Sequence, residues 1–332
     1  MLKFALIGYG YWGPNVARNL YKNKSIDFKY ICDLKQERLD LAKDLYANDI
    51  LYTTDFDEVI ADKEIDAVCL AVETSAHFEL GKRVIEAGKH LYVEKPFTDN
   101  VAQAMELKKL AASKGVMIHV DHIMIYHPAI MKIKEIMDRG ELGDVIYMDC
   151  SRMNLGKVKN DVSAMWDLSV HDLSIIDYLS DGVEVKTVKS MGRVIYSTRP
   201  SVTFITADYG SFIANIKANW ISPIKERKLI IAGTKKMLVY DDVDVLNKLI
   251  VYDKGFDVIR ASDPMEYSEF VVKTRSGDAV IPKLEVGDAL FNSLEHFRQC
   301  ILSGSESMSG PDAAIRVLSV LEAADKNMTI SR

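Results

Sequence analysis

Through the first ~120 residues, short apolar runs alternate with segments whose apolar residues recur at helical spacing. KFALIGYG reads as a strand ending in glycine. YWGPNVARNLYKN reads as a helix with Val16 and Leu20 on one face and proline near its start, where a helix tolerates it. FKYICDL is the next strand and QERLDLAKDLY a helix with Leu39, Ala42 and Leu45 aligned. IDAVCLAV is apolar throughout, as a strand buried on both faces is. SAHFELGKRVIEAGKH is a helix closed by Gly88, HLYVEKP a strand stopped by Pro96, NVAQAMELKKLAASKG a helix closed by Gly115, and VMIHV a strand. Repeated strand–helix units with short connections predict a parallel sheet flanked by helices.

Beyond residue 121 the rhythm changes. One helix, HPAIMKIKEIMDRG, leads into the strand DVIYMDCSRMN, and from residue 183 strands follow strands. SFIANIKANW alternates strictly: Phe212, Ala214, Ile216, Ala218 and Trp220 point one way, and Ile213, Asn215, Lys217 and Asn219 the other. DYGS before it predicts a hairpin turn, and KLIIAG and MLVYDD a second hairpin. The expected layout is an α/β N-terminal domain over 1–121 and an α+β domain over 122–332 built on a large, mostly antiparallel sheet, with two helices closing the chain. A length of 332 residues agrees with two domains.

Composition narrows the functional classes. With 48% hydrophobic and 27% charged residues the chain is an ordinary globular one, and a net charge of −6 argues against a nucleic-acid surface. The four cysteines, Cys32, Cys69, Cys150 and Cys300, are far apart, so no CxxC motif exists and a reducing cytoplasm is expected. MLKFALIGYGYWG lacks a charged region followed by a long apolar stretch, and no window reaches ~18 apolar residues, so neither export nor membrane association is expected.

Gly8, Gly10 and Gly13 form G-x-G-x-x-G directly after a strand and at the start of a helix, the arrangement that brings a pyrophosphate to a helix N-terminus. Asp33, 25 residues after Gly8 and at the end of the second strand, suits the ribose hydroxyls of NAD. Lys35 and Arg38 beside it weaken that preference over NADP. Lys95 stands at the C-terminal end of a parallel strand, where ligands bind, and suits the stabilisation of an alkoxide or the polarisation of a carbonyl. Asp167 and His171, in WDLSVHDLS, share one helix face. They fit three readings: metal ligands, for which further ligands are lacking; an ion pair at a helix start; or an acid–base couple in which Asp167 orients the His171 ring. Trp166 fits either a wall against the nicotinamide or a core position. His122 fits the cleft or a hinge, and Asp172 has no evident role.

Together, the glycine loop, CLAVETSAHFEL, GKHLYVEKP and the later D-x-x-x-H resemble the Gfo/Idh/MocA (glucose–fructose oxidoreductase / inositol dehydrogenase) family over nearly the whole chain. The resemblance implies a Rossmann domain, a substrate domain whose open sheet commonly also forms dimer contacts, and NAD(P)-dependent oxidation or reduction at a sugar or cyclitol carbon. It implies that Lys95 is the active-site lysine, that Asp167 and His171 are the D-x-x-x-H pair, and that His77 and Glu94 line the cofactor. Tyr11, Trp12, Leu34, Arg38, Thr74 and His122 are expected on the cofactor side, and Tyr126, Asn154 and Trp166 on the substrate side. Val72 and Glu73 stand where the family often has Thr-Pro, and Ser174 where it often has aspartate. WDLSVHDL with RMNLG upstream resembles the subgroup acting at carbon 3 of UDP-N-acetylated sugars. The expected protein is an NAD-dependent nucleotide-sugar dehydrogenase without a metal, acting as a homodimer or homotetramer. A free-sugar or inositol dehydrogenase and a non-catalytic NAD-binding sensor are the alternatives.

Overall fold

The computed structural model of the chain describes residues 1–46, 49–160, 162–259 and 271–331. It divides into two compact units, Met1–His127 with Gly287–Glu322, and Pro128–Val286 with Ala323–Arg332.

The first unit opens with β1 (Leu2–Ile7), α1 (Gly13–Lys22), β2 (Ile26–Cys32), α2 (Gln36–Lys43), β3 (Leu51–Thr53), α3 (Phe56–Ala61), β4 (Ala67–Leu70), α4 (Thr74–Glu86), β5 (His90–Val93), α5 (Val101–Lys114) and β6 (Ile118–Val120). All six strands are parallel, in the order β3-β2-β1-β4-β5-β6. Strand order therefore reverses between β1 and β4, the crevice where such sheets bind dinucleotides. The local signals act as expected: every residue of β4 is buried, Val16, Ala17 and Leu20 of α1 face the core, and Gly115 ends α5 in the left-handed region. β3 and α3 were not foreseen, because three and six residues carry too little periodicity to register.

The second unit contains α6 (Pro128–Asp138), β7 (Val145–Leu155), a π-helical turn (Met165–Ser169) and α7 (Val170–Leu179). There follow β8 (Thr187–Val194), β9 (Pro200–Asp208), β10 (Ile213–Asn219), β11 (Ile221–Gly233), β12 (Met237–Asp241), β13 (Leu249–Ile259) and β14 (Val271–Val280), with β15 (Met328–Ser331) at the end of the chain. These strands form one sheet, β14-β13-β12-β11-β7-β10-β9-β8-β15. Its neighbours are antiparallel except β7–β10 and β8–β15. The alternation read from SFIANIKANW holds: Phe212, Ala214, Ile216, Ala218 and Trp220 are buried, and Ile213 and Asn215 are exposed. Gly210, at φ +85°, makes the hairpin turn that DYGS signalled.

The last helices, α8 (Ala289–Ser303) and α9 (Pro311–Lys326), correct the expected boundary. Sequence order assigned them to the domain over 122–332, yet α8 belongs to the first unit, as does α9 as far as Glu322. The cause is apolar burial: Leu290, Leu294 and Phe297 of α8 complete the core around Phe4, Leu20 and Tyr92, with the Phe4 and Phe297 rings edge to face at 5.7 Å. Val120 of β6 also donates its N–H to Ser309 O at 2.8 Å.

Candidate active site

Each of the three glycines after β1 has its own steric reason. Gly8 has φ +95°, and a Cβ there would meet Ala71 O at 2.5 Å; one on Gly13 would meet Gly8 O at 2.2 Å. Gly10 differs, because a Cβ there would meet only the Arg38 guanidinium, at 3.4 Å. Space is thus left over Gly10 for a ligand to approach the backbone. The first turn of α1 has no acidic residue and no side-chain cap, so its N–H groups suit an anion.

Asp33 closes the adenosine end. Its Oδ2 accepts the Tyr9 N–H at 2.7 Å, its Oδ1 accepts the Lys35 N–H at 2.9 Å, and Arg38 Nη1 lies 3.2 Å from Oδ2. These bonds fix the carboxylate at the tip of β2, and the chain there fits the adenosine ribose of a nicotinamide dinucleotide. Tyr11 and Leu34, 97% and 88% exposed, present apolar surface beside it, and Trp12 packs on the core.

β5 and β6 deliver a second set of groups at their C-terminal ends: Glu94 and Lys95 from β5, Asp121 and His122 from β6. The Lys95–Pro96 peptide is cis. His77, in the first turn of α4, holds this turn: Nδ1 is 2.9 Å from Pro96 O and Nε2 is 3.2 Å from Val72 O. Burial lowers its pKa and the backbone carbonyls oppose that. His77 therefore braces the E-K-P turn. Thr74, the first residue of α4, is half-buried at the same end of the sheet.

Glu94 is held far above the usual carboxyl range by burial, then by the Asp121 charge and the hydrogen bond between the two side chains. Burial raises Asp121 too, against hydrogen bonds from Glu94, Tyr92 and Ser293. A chain of donors runs toward Asp121. The Ser293 hydroxyl donates to Asp121 Oδ1 at 3.1 Å, so Ser293 Oγ accepts from His119 Nε2–H at 3.0 Å, and the Tyr92 hydroxyl lies 2.9 Å from Ser293 Oγ. His119 Nδ1 then accepts from the Ser307 hydroxyl at 2.9 Å. This order gives Asp121 the charge and Glu94 the proton. Sequence reading missed Asp121 and Ser293, since Asp121 ends a three-residue strand and Ser293 lies far away on α8. His122 is buried, its pKa pushed down to about 3 by burial and then the Lys95 charge, and neither ring nitrogen has a partner among the described residues. Its ring is held as neutral imidazole.

Tyr126, expected to contact sugar, is only 2% exposed and stacks on His119 with ring centroids 5.6 Å apart. Its ring packs against His119 in the core of the first unit. An open hollow of about 430 Å³ on the C-terminal half of α8, lined by His296 and Cys300 among others, involves none of the expected site residues.

In the second unit, the four-residue spacing of Asp167 and His171 does not lie in one regular helix. Asp167 is in the π turn and His171 is the second residue of α7. Such turns are frequent at functional sites. Asp167 accepts from Lys159 Nζ at 2.9 Å, a partner that sequence reading missed. Trp166 is half-buried and directs its indole N–H at Asp325 Oδ2, 3.4 Å away. The turn rests on Trp220 and Ala218 through Ala164 and Leu168. Asn154 lies half-buried on β7. Ser174 donates to the His171 carbonyl at 2.7 Å, and Asp172 is paired with Arg152. Among the described residues no three His, Cys, Asp or Glu side chains converge as a metal site, and no helix is long and apolar enough to cross a membrane.

Comparison with known proteins agrees with this layout. The family profile described as "Oxidoreductase family, NAD-binding Rossmann fold" matches residues 2–122, and that of the "GFO/IDH/MocA C-terminal domain" matches residues 130–239. The NAD-dependent scyllo-inositol 2-dehydrogenase of Bacillus subtilis (strain 168) is 26% identical over 329 residues, covering 89% of this chain and 94% of that protein. The UDP-N-acetylglucosamine 3-dehydrogenase of Acidithiobacillus ferrooxidans is 28% identical over 196 residues, 58% of this chain and 60% of that protein. The chain thus matches some curated relatives over less than two thirds of their length, 58% for an oxidoreductase of Escherichia coli (strain K12). A crystal structure of the Acidithiobacillus enzyme shares the fold with a TM-score of 0.80 at 23% identity, over 98% of this chain and 97% of that one. A NAD complex of GenD2 from gentamicin A biosynthesis does so with a TM-score of 0.79 at 20% identity, over 98% and 93%. The chain belongs to the Gfo/Idh/MocA family of oxidoreductases.

Proposed function

We propose that the protein is an NAD-dependent dehydrogenase acting on a secondary alcohol of a nucleotide-linked sugar, at carbon 3 of a UDP-N-acetylated sugar. The observation that carries the activity is the fixed Asp33 carboxylate beside an open Gly10, in a unit that also places Lys95 at a strand end. The WDLSVHDL segment and the likeness to the Acidithiobacillus enzyme favour the substrate. Bound NAD supplies the hydride acceptor. Asp33 holds the adenosine ribose, the Gly10 backbone and α1 N-terminus hold the pyrophosphate, and neutral His122 and Glu94 flank the nicotinamide end. His171 takes the hydroxyl proton, Asp167 sets its ring, and Lys95 stabilises the oxygen as it becomes a carbonyl. Trp166 and Asn154 flank the sugar.

Loss of a positioned acid–base group costs ~10²–10⁴ in rate. His171→Asn is therefore expected to lose turnover while retaining NAD affinity, and Lys95→Met to lose turnover with some weakening of NAD. Wild-type turnover from His171→Asn at saturating sugar removes its assignment. The second reading, an inositol dehydrogenase, draws on the match across 94% of the Bacillus enzyme. Assays with NAD and either UDP-N-acetylglucosamine or myo-inositol separate the two. We place the protein in the cytoplasm, in keeping with its free, buried cysteines. We assign a homodimer or homotetramer to the sheet face that exposes Met191, Phe204 and Ile213, and light scattering of the purified protein tests it.

A further inference from the structure

Asp172 follows His171 in the first turn of α7, and its carboxylate pairs with Arg152 of β7. The guanidinium grips it side-on: Nη2 lies 2.8 Å from Oδ1, and Nε lies 3.1 Å from Oδ2 and 3.2 Å from Oδ1. Arg152 is 7% exposed and Asp172 4%, and their chain neighbours include the buried Met148, Cys150, Leu173 and Ile176. Desolvating two charges in such a place opposes their attraction, so apolar residues of similar volume would serve stability as well. The best-attested use of a buried pair of this kind is to fix register.

Register is what the adjoining backbone leaves open. The residues before α7 form a π turn, bonded five apart where an α-helix bonds four apart. Ser169, where the π turn passes into α7, continues in helical backbone at φ −67° and ψ −21°, and its side chain makes no cap bond that would fix the junction. A slip of one residue at this junction would rotate each α7 side chain by roughly 100° and carry His171 off its present face. The Arg152 fork meets Asp172 in one register. We propose that Arg152 and Asp172 are positioning residues for the reaction, holding α7 in the single register that presents His171. This rests on the assignment of His171 as the proton carrier.

The test is the double variant Arg152→Met/Asp172→Leu. It is expected to melt cooperatively at or above the wild-type Tm and to keep NAD affinity. Its kcat with UDP-N-acetylglucosamine is expected to fall roughly tenfold to a hundredfold, with a shifted pH profile. Its His171 ring signals, identified in NMR spectra by their loss in His171→Asn, are expected to shift or split. Unmoved ring signals in the folded double variant overturn the proposal. Should that variant fail to fold, Arg152→Lys keeps the charge and removes the fork. It should move the same signals, and unmoved signals there are equally fatal. His171→Asn separates the two levels. Full turnover from it removes the proton-carrier assignment. An inactive His171→Asn beside a fully active double variant removes the positioning role alone.

Discussion

Glu94 and Asp121, at the ends of neighbouring parallel strands, are two interacting buried carboxyl groups, and burial raises the pKa of both. Among the described residues, the titratable groups near the pair are Cys69 on β4, Tyr92 of β5 with Lys95 after it, and His119 of β6 with His122 after it. Burial holds Cys69 and Tyr92 protonated, and His119 and His122 neutral, so among the described residues Lys95 is the cation beside the pair. Both carboxyls are raised relative to the unfolded chain. Above the ordinary carboxyl range, the native state therefore keeps a proton that the unfolded state has released. Stability from this source is present at low pH and declines as pH climbs toward the raised value, by at most about 1.4 kcal/mol per pH unit for one proton.

Glu94→Gln imitates the protonated acid and has no proton to capture. Its Tm relative to wild type is expected to rise between pH 5 and pH 8. Thermal melts across that range check this. A difference that stays flat or falls would mean that Glu94 is ionised in the native protein.

The glycine loop offers a steric contrast. In Gly13→Ala the new Cβ meets backbone, the Gly8 carbonyl, at 2.2 Å, and no side-chain rotation relieves that contact. The helix must move off the turn, so reduced Tm and lost NAD binding are expected together. In Gly10→Ala the Cβ meets only the flexible end of Arg38. Its Tm should remain close to wild type, within the ±0.5 kcal/mol usual for surface changes, while NAD affinity falls. Equal losses of stability in the two variants would contradict the separate roles given to these glycines.

Much of this was legible in the sequence because the signals are local. Gly8, Gly10, Gly13 and Asp33 lie within one strand–helix–strand unit, and the alternation from Phe212 to Trp220 is a property of one strand. What escaped reading depends on residues brought together from afar. Asp172 had no role until β7 placed Arg152 beside it, 20 residues earlier in the chain. Ser293 acts on Asp121 from 172 residues away. The burial of Tyr126 beside α8 has no signature in its own neighbourhood. The π turn was equally hidden, since Met165–Ser169 has no composition that separates i+5 from i+4 bonding.

The proposed preference for NAD over NADP rests on Asp33 and its relation to Arg38. The carboxylate takes two backbone N–H groups and lies 3.2 Å from the Arg38 guanidinium, which engages the cation that a 2′-phosphate would otherwise recruit. Asp33→Asn keeps the size of the side chain and one acceptor oxygen, and it removes the charge. A hydrogen bond to a charged group is worth about 1.5–3 kcal/mol, so NAD affinity is expected to drop roughly tenfold to a hundredfold. NADP affinity should rise at the same time, because the repulsion is gone and Arg38 is released. Adding Arg38→Ala to Asp33→Asn should then cancel the gain for NADP without further weakening NAD. Titration of both dinucleotides against the three proteins measures this. NADP bound equally by the single and double variants would show that Arg38 does not reach the phosphate, and that cofactor choice rests on Asp33 alone.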